Sequence, residues 1–332
     1  MRICALIYHE MHQEGSLSVA SYLFRRFLLA MLVLAVALLI LFCLVYAVPG
    51  DPATIALGPR ATEAQKIAFR ERMGLDDPIV VQAITYLGLL LRGDMGVDLL
   101  SQRPVADLVL AALPRTVLLA VVGLGWAVAL GLPLGVVSAL RPNTLIDRIV
   151  GVISTSVVAL PAFLMAIYAL MLFSVTLGWF PAIGAGEPGH YASQARHLVL
   201  PALAVGIAWV GYIARLVRVS MLEVLAENHV RTYRAFGVSD LRIAMRFALP
   251  IAVAPVLSVI GVGMGNLLSG AVLVEVVFAR PGLGALAYDA VISRNFPVLF
   301  GSVVVTTALY VTANFLADAA IAALDPRVAK ES

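Results

Sequence analysis

Charge is what this sequence has least of. Only 13% of its 332 residues are Asp, Glu, Lys or Arg, about half the ~25% of an ordinary soluble domain. Lysine is almost absent: of 23 basic residues, all but Lys66 and Lys330 are arginine. With 61% hydrophobic residues and a mean hydropathy of +0.98, too little polar surface remains to cover a water-soluble globule. That excludes a cytosolic enzyme and a disordered chain. It also excludes a nucleic-acid binder, because the net charge of +3 comes without a basic run or interleaved aromatics. Cysteine is nearly missing as well. Cys4 and Cys43 cannot build a disulfide framework, and Cys43 lies inside an apolar run where it packs as a small hydrophobe. The remaining class is a polytopic membrane protein.

Catalytic signatures are missing too. A P-loop requires Gly-x-x-x-x-Gly-Lys-Ser/Thr, since its lysine reaches the β- and γ-phosphates. Lys66 (AQKIA) and Lys330 (VAKES) both stand in glycine-poor surroundings, so the chain has no ATPase site of that kind and is not expected to be an enzyme. There is no Gly-x-Ser-x-Gly elbow and no His-Glu-x-x-His. Of the histidines, His9, His12, His190, His197 and His229, none lies deep in an apolar run. The spacing of His190 and His197 matches no zinc-ligand pattern, and no cofactor or metal site is expected. Ion-coupled carriers bind their driving ion through ionisable groups near the midplane. Here Glu275 and Asp318 stand only towards the ends of apolar runs. A pathway whose energy comes from another chain fits this pattern better than a free-standing channel or ion-coupled carrier.

Long apolar runs are what the sequence does have. About 20 apolar residues cross a hydrocarbon core about 30 Å thick. Phe27–Val48, Thr116–Leu140, Ile149–Gly186, His197–Ala214, Phe247–Val274 and Asn295–Ala317 are the uncharged or nearly uncharged runs, which gives six spans. The third is one span plus a loop, with Pro161 expected to kink it and Gly178, Pro181 and Gly184 to end it. The first is too long for a secretory signal and reads as an uncleaved anchor. Arg25, Arg26, Arg141, Arg148, Arg215, Arg218, Arg231, Arg234, Arg242 and Arg246 fall on one side if six spans alternate, which places both termini in the cytoplasm. The expected organisation is a cytoplasmic segment 1–26, a first span 27–48, a periplasmic segment 49–115, a five-helix core 116–322 that contains a cytoplasmic loop 215–250, and a cytoplasmic tail 323–332. The first 20 or so residues read equally as a frayed tail or as a start placed too far upstream. The outer segment is expected to carry a small helical cap, with Glu63–Arg72 as one helix.

The segment Ser220–Pro250, between the fourth and fifth runs, is too polar to span and too periodic for a bare loop. Val224, Leu225, Val230, Tyr233 and Phe236 predict one apolar helical face. Gly237 suits the left-handed residue after a helix end. Ser239 is placed to cap a second helix with Asp240 in its first turn, and Pro250 opens the next span. The pattern is helix, glycine turn, helix, membrane. It serves either as an amphipathic loop on lipid headgroups or as an element docked into a partner protein.

The spacing from Gly237 to Leu249-Pro250 resembles the EAA loop of ABC-importer permeases, and Arg231-Thr232-Tyr233-Arg234-Ala235-Phe236-Gly237 resembles the Arg-Thr-Ala-Arg-Ala-Lys-Gly of the peptide-importer branch. Tyr233 and Phe236 depart from that pattern. Tyr22-Leu23-Phe24-Arg25-Arg26, Pro49-Gly50-Asp51-Pro52, Gly74-Leu75-Asp76-Asp77-Pro78, Gly93-Asp94-Met95-Gly96, Leu113-Pro114-Arg115-Thr116, Phe278-Ala279-Arg280-Pro281-Gly282-Leu283-Gly284 and Leu324-Asp325-Pro326-Arg327 are similar to segments of the same branch in the same order. The chain is thus identified as a member of the dipeptide/oligopeptide ABC-importer permease family. The resemblance implies an all-α, type I importer-like permease in the inner membrane. It implies four kinds of partner: a second homologous permease, two ATPase subunits that hold ATP and Mg, a periplasmic or lipid-anchored binding protein, and the lipid bilayer. It implies ATPase coupling through Glu227, Arg231, Thr232, Tyr233, Arg234, Ala235, Gly237, Asp240, Leu249 and Pro250. Glu275, Pro281, Gly282 and Gly284 are candidates for the translocation path or outer gate, Glu275 being alternatively a partner of Arg280 or Arg294. Relatives carry glutathione, nickel chelates or oligosaccharides, so the cargo stays open.

Overall fold

The computed structural model describes residues 24–41, 43, 53–54, 61–73 and 77–324. The expectations for Cys4, His9, His12, Tyr22-Leu23, Pro49-Gly50-Asp51-Pro52, Gly74-Leu75-Asp76 and the tail from 325 onward, together with the side chain of Asp318, lie outside the described residues. Among the described residues the secondary structure is helical, apart from a single isolated bridge between Val97 and Pro104.

Helix α1 covers Phe24–Leu41. It is followed by α2 (Glu63–Met73), α3 (Ile79–Leu91), α4 (Val105–Leu140), α5 (Leu145–Val158) and α6 (Ala162–Ala169), which runs on as a π-helix over Leu170–Thr176. Then come α7 (Tyr191–Ala226), α8 (Asn228–Ala235), α9 (Asp240–Ile243), a π-helix over Ala244–Ala248, α10 (Leu249–Ala252), α11 (Ala254–Val277), α12 (Leu283–Ile292) and α13 (Phe296–Leu324). By length and composition α1, α4, α7 and α13 are able to cross a membrane, and the bent pair Leu145–Val158 and Ala162–Thr176 makes a fifth if it is one span. Within α11 the apolar stretch Gly263–Val277 is shorter.

The helix limits differ from the limits of the apolar runs, for physical reasons. Charge ends an apolar run but does not end a helix. α4 therefore starts at Val105 and passes through Arg115, and α7 extends over 36 residues, or about 54 Å at 1.5 Å per residue. At Pro161 the expected kink is a full break of 104°. The proline ring forces the preceding residue towards extended backbone and removes a helical donor. Pro161 itself sits at φ −60°, ψ 141° and starts α6 afresh.

The chain divides into two compact units. The first comprises Met1–Thr116 and Pro281–Phe315. Here α2 is opened by a capping box: the Thr62 hydroxyl accepts from Gln65 N–H at 3.3 Å and the Gln65 side-chain Oε1 accepts from Thr62 N–H at 2.9 Å. Val105, Val109, Ala112, Leu283, Ala290 and Val298 form its core.

The second unit comprises Val117–Arg280 and Leu316–Ser332. Helix α7 is its central rod, and small residues let its neighbours approach backbone to backbone. A Cβ on Gly135 of α4 would stand 2.6 Å from the Ala214 carbonyl, and one on Gly211 would stand 2.6 Å from the Ser154 carbonyl of α5. The Trp126 indole N–H of α4 donates to the Ala202 carbonyl of α7 at 2.7 Å, fixing these two helices nearer the start of α7. Ile213, Val217, Met221 and Val224 of α7 share one core with Val136 and Ala139 of α4 and with Ala244, Ala248 and Ala252. The chain thus enters and leaves the polar segment 227–240 through two helical stretches bound into one hydrophobic core.

Candidate functional site

Helix α7 stops at Glu227, whose extended backbone (φ −69°, ψ 156°) breaks the helix and begins α8. Its carboxylate meets the His229 ring at 3.0 Å. Along α8, Val230 is fully buried while Arg231, Thr232, Arg234 and Ala235 face outward. The Tyr233 ring stacks on Phe247 at 4.3 Å and 25°, and the His229 ring meets Tyr233 edge-on at 5.9 Å. These contacts tie the helix before the turn to the π-helix after it.

The turn itself is a Schellman motif. Gly237 N–H donates to the Arg234 carbonyl at 2.9 Å and Val238 N–H to the Tyr233 carbonyl at 3.1 Å, which satisfies the last carbonyls of α8. Gly237 takes φ +76°, the region a β-carbon disfavours. Arg234 Nε pairs with Asp240 Oδ1 across the turn at 2.9 Å, both side chains being largely exposed. Ser239 occupies the position before α9, but its side chain makes no capping bond. The first turn is held instead by Ile243 N–H on the Ser239 carbonyl at 2.9 Å. The π-helix Ala244–Ala248 has a local cause: Pro250 has no N–H to give the Arg246 carbonyl, so the α-register fails just ahead of it. Leu249 is half-buried and Pro250 exposed.

Phe236 does not share the buried face expected for it. The C-cap turn carries it outward, 81% exposed, alongside Leu241 at 64% and Met245 at 50%. Arg231, Arg242 and Arg246 are exposed on the same segment. The result is a closed, internally braced loop that presents an apolar tip among arginines.

The second candidate constellation divides between the two units. At the end of α11, Glu275 is fully buried and Arg280 nearly so, and the Arg280 N–H donates to the Glu275 carbonyl at 2.8 Å. Arg294 is exposed. The Phe278 carbonyl accepts from Gly184 N–H at 2.8 Å, fastening the loop after α6. In the first unit, Gly282 precedes α12 in extended conformation, and Leu283 N–H donates to the Thr116 hydroxyl at 2.8 Å. Arg115 reaches the Pro281 carbonyl at 3.5 Å, and Gly284 is buried. The Pro281–Gly284 turn is thus a docking point for the Arg115-Thr116 stretch of α4.

Two polar clusters escape a reading by motif. In the second unit, Asp147 receives four donors: the Ser138 hydroxyl at 2.5 Å, Asn143 N–H at 2.9 Å, and Arg218 through Nε at 2.5 Å and Nη2 at 2.8 Å. Its signals in the sequence are that Asp147 is the one carboxylate between Asp107 and Glu187 and that it stands three residues after Thr144, the N-cap of α5. In the first unit, Asp98 is buried and accepts from Leu100 N–H at 3.2 Å, Ser101 N–H at 3.0 Å, the Ser101 hydroxyl and the Asn295 amide. Burial pushes the Asp98 carboxyl up. The hydrogen bonds from the Ser101 hydroxyl, the Leu100 N–H, Asn295 and the Ser101 N–H together outweigh it and hold the group below its ordinary 3.8. The His197 ring nitrogen bonds the Ser193 carbonyl at 2.8 Å.

Comparison with known proteins now bears on this arrangement. The family model described as "Binding-protein-dependent transport system inner membrane component" matches residues 131–330. The model for the N-terminal part of the same membrane component matches residues 19–120. The oligopeptide transport system permease protein AppB of Bacillus subtilis (strain 168) is 35% identical over 315 residues, covering 93% of this chain and 99% of the relative. The glutathione transport system permease protein GsiC of Escherichia coli (strain K12) is 35% identical over 309 residues, covering 93% and 98%. Among solved structures, the inward-facing MetNI methionine ABC transporter superposes with a TM-score of 0.55 at 21% identity, over 66% of this chain and 96% of that one. That likeness carries the fold, a type I ABC-importer permease. With a family model over more than half of its length and relatives 35% identical along nearly all of it, the chain belongs to the inner-membrane components of binding-protein-dependent transport systems, the permeases of ABC importers.

Proposed function

We propose that this permease takes up dipeptides or short oligopeptides. A binding protein delivers the cargo, and a second, homologous permease completes the pathway. The chain crosses the membrane six times with both termini in the cytoplasm, the side to which its arginines assign the loop 227–240. Two ATPase subunits hold ATP and Mg and press on that loop through Glu227, Arg231 to Ala235, Gly237 and Asp240, while Leu249 and Pro250 pass the movement into the membrane. Glu275 and, separately, the Pro281–Gly284 turn are the candidates for the translocation path or outer gate. The chain does no covalent chemistry. It contributes two packings of different stability, and the ATPases bias the choice between them.

The observation that carries this reading is the closed loop itself. Its Schellman turn, the Tyr233–Phe247 stack and the common core of α7 with Ala244, Ala248 and Ala252 make a rigid element. Its exposed Phe236, Leu241 and Met245 fit a protein groove. A loop lying on lipid has no need of such internal bracing.

Peptide cargo is supported by the likeness to AppB and by the run of motifs of the peptide branch. Glutathione, itself a small peptide, is the second reading, supported by the equal identity to GsiC. The deciding experiment is uptake of labelled dipeptide, glutathione and nickel by wild-type cells and by cells lacking this chain. Loss of dipeptide uptake, restored by the intact gene, is expected. Loss confined to glutathione or nickel keeps the permease and replaces its cargo.

A further inference from the structure

We propose that Ser138, Asp147 and Arg218 form a register clamp through which movement of the loop 227–240 reaches helices α4 and α5. This rests on the reading of that loop as the ATPase-docking element.

The clamp joins three elements at one carboxylate. Asp147 lies in the first turn of α5, where the helix dipole favours an anion, and its own N–H is capped by the Thr144 hydroxyl at 3.5 Å. Ser138 comes from the last turn of α4 and is fully buried. Asn143, with φ +61°, turns its N–H onto Asp147 from the connection between them. Arg218 comes from α7 and grips both carboxylate oxygens at once. The pair is shielded: 7% of the Asp147 side chain and 30% of the Arg218 side chain are exposed.

Position gives the cluster its role. Arg218 stands roughly two turns, about 12 Å, before the end of α7. Between it and the loop, Met221 and Val224 are buried in the core that also holds Ala244 and Ala248. A push on the loop therefore moves the end of α7 as a rod. The other polar contacts of α7 with α4 and α5, Trp126 on the Ala202 carbonyl and Arg215 on the Thr155 hydroxyl at 3.0 Å, are single hydrogen bonds that pivot, whereas a two-pronged guanidinium–carboxylate contact tolerates little sliding or rotation. The clamp therefore passes axial and rotational movement of α7 to α4 and α5. Stability alone explains the cluster poorly, since well-packed apolar groups often replace a buried ion pair without loss. Arg218 and Asp147 are thus positioning residues.

The test uses the complete importer in proteoliposomes: this chain, its permease partner, both ATPases and the binding protein. The cargo is whichever of labelled dipeptide or glutathione the wild type takes up. Asp147→Leu combined with Arg218→Met replaces the pair by apolar groups. The expected result is a complex that assembles and hydrolyses ATP, with uptake per ATP lowered by about tenfold, within the usual range of coupling between sites. An unchanged ratio of uptake to ATP hydrolysis overturns the clamp, whatever happens to total activity, because a merely structural role lowers both together. Arg218→Lys keeps charge and bulk but not the fork. Uptake per ATP must fall there too, and this variant decides the matter if the double variant does not accumulate. Failure of the underlying loop reading shows elsewhere: Gly237→Arg would then leave the ATPases bound and uptake normal.

Discussion

Gly237 allows the docking claim to be separated from the folding of the loop. Its φ of +76° means that any residue with a β-carbon destabilises the turn, by about 1–2 kcal/mol. That cost is the same for alanine and for arginine, since both carry a β-carbon. Nothing lies within 4 Å of the position a Cβ would take, so the β-carbon itself meets no obstruction in either variant. The turn keeps two backbone hydrogen bonds, the Tyr233–Phe247 stack and the Arg234–Asp240 contact in either variant. Gly237→Ala is therefore expected to retain uptake within severalfold of wild type, and Gly237→Asn, which tolerates the left-handed region, to lie closer still. Gly237→Arg is expected to lose at least about a further tenfold, equivalent to ~1.4 kcal/mol of docking free energy. It places a long side chain at the tip proposed to enter the ATPase groove. The assay is cargo uptake normalised to chain in the membrane, with co-purification of the ATPases measured in parallel. Equal uptake by the alanine and arginine variants, or normal binding of the ATPases by the arginine variant, would show that the tip at Gly237 does not dock.

Other outcomes follow from the same geometry. Tyr233→Ala removes the stack on Phe247, worth about 0.5–1.5 kcal/mol beyond its area. It should speed hydrogen exchange at the Val238 amide, whose acceptor is the Tyr233 carbonyl. Gly135→Ala puts a Cβ 2.6 Å from the Ala214 carbonyl, backbone that cannot swing away. The melting temperature in detergent should drop by an amount matching about 1–3 kcal/mol. Gly125→Ala on the same helix meets nothing within 4 Å and should be neutral or gain up to about 1 kcal/mol. Asp98 has a depressed folded pKa, so its stabilising effect is present above the ordinary 3.8 and is lost as pH falls through the lower folded value. Exchange protection of the Leu100 and Ser101 amides should therefore persist down to that pH and vanish below it, and Asp98→Asn should abolish the pH dependence.

Much of this architecture was legible because apolarity and arginine are unevenly distributed. The runs Thr116–Leu140 and His197–Ala214 fall within helices long enough to cross a membrane, and the described parts of the runs from Phe27 and Asn295 overlap two more. The helix–glycine–helix pattern around Gly237 corresponds to α8, a Schellman turn and α9. Helix limits were not legible, because Arg115 and Arg215 end an apolar run while the backbone continues its hydrogen bonds through them. The outward turn of Phe236 was hidden for a related reason: periodicity assigns a face only while the helix lasts, and Phe236 is already the C-cap. The 104° break at Pro161 exceeds what a proline alone suggests. The Asp147–Arg218 pair lies 71 positions apart in sequence, so no local pattern announces it.

The most direct test of the central claim compares this chain alone with the complete importer. Proteoliposomes holding the permease pair, both ATPases and the binding protein are expected to take up labelled dipeptide or glutathione only when ATP is supplied on the side of the loop 227–240. Liposomes holding this chain alone are expected to take up neither. Uptake by the chain alone, down a gradient and without ATP, would contradict the claim.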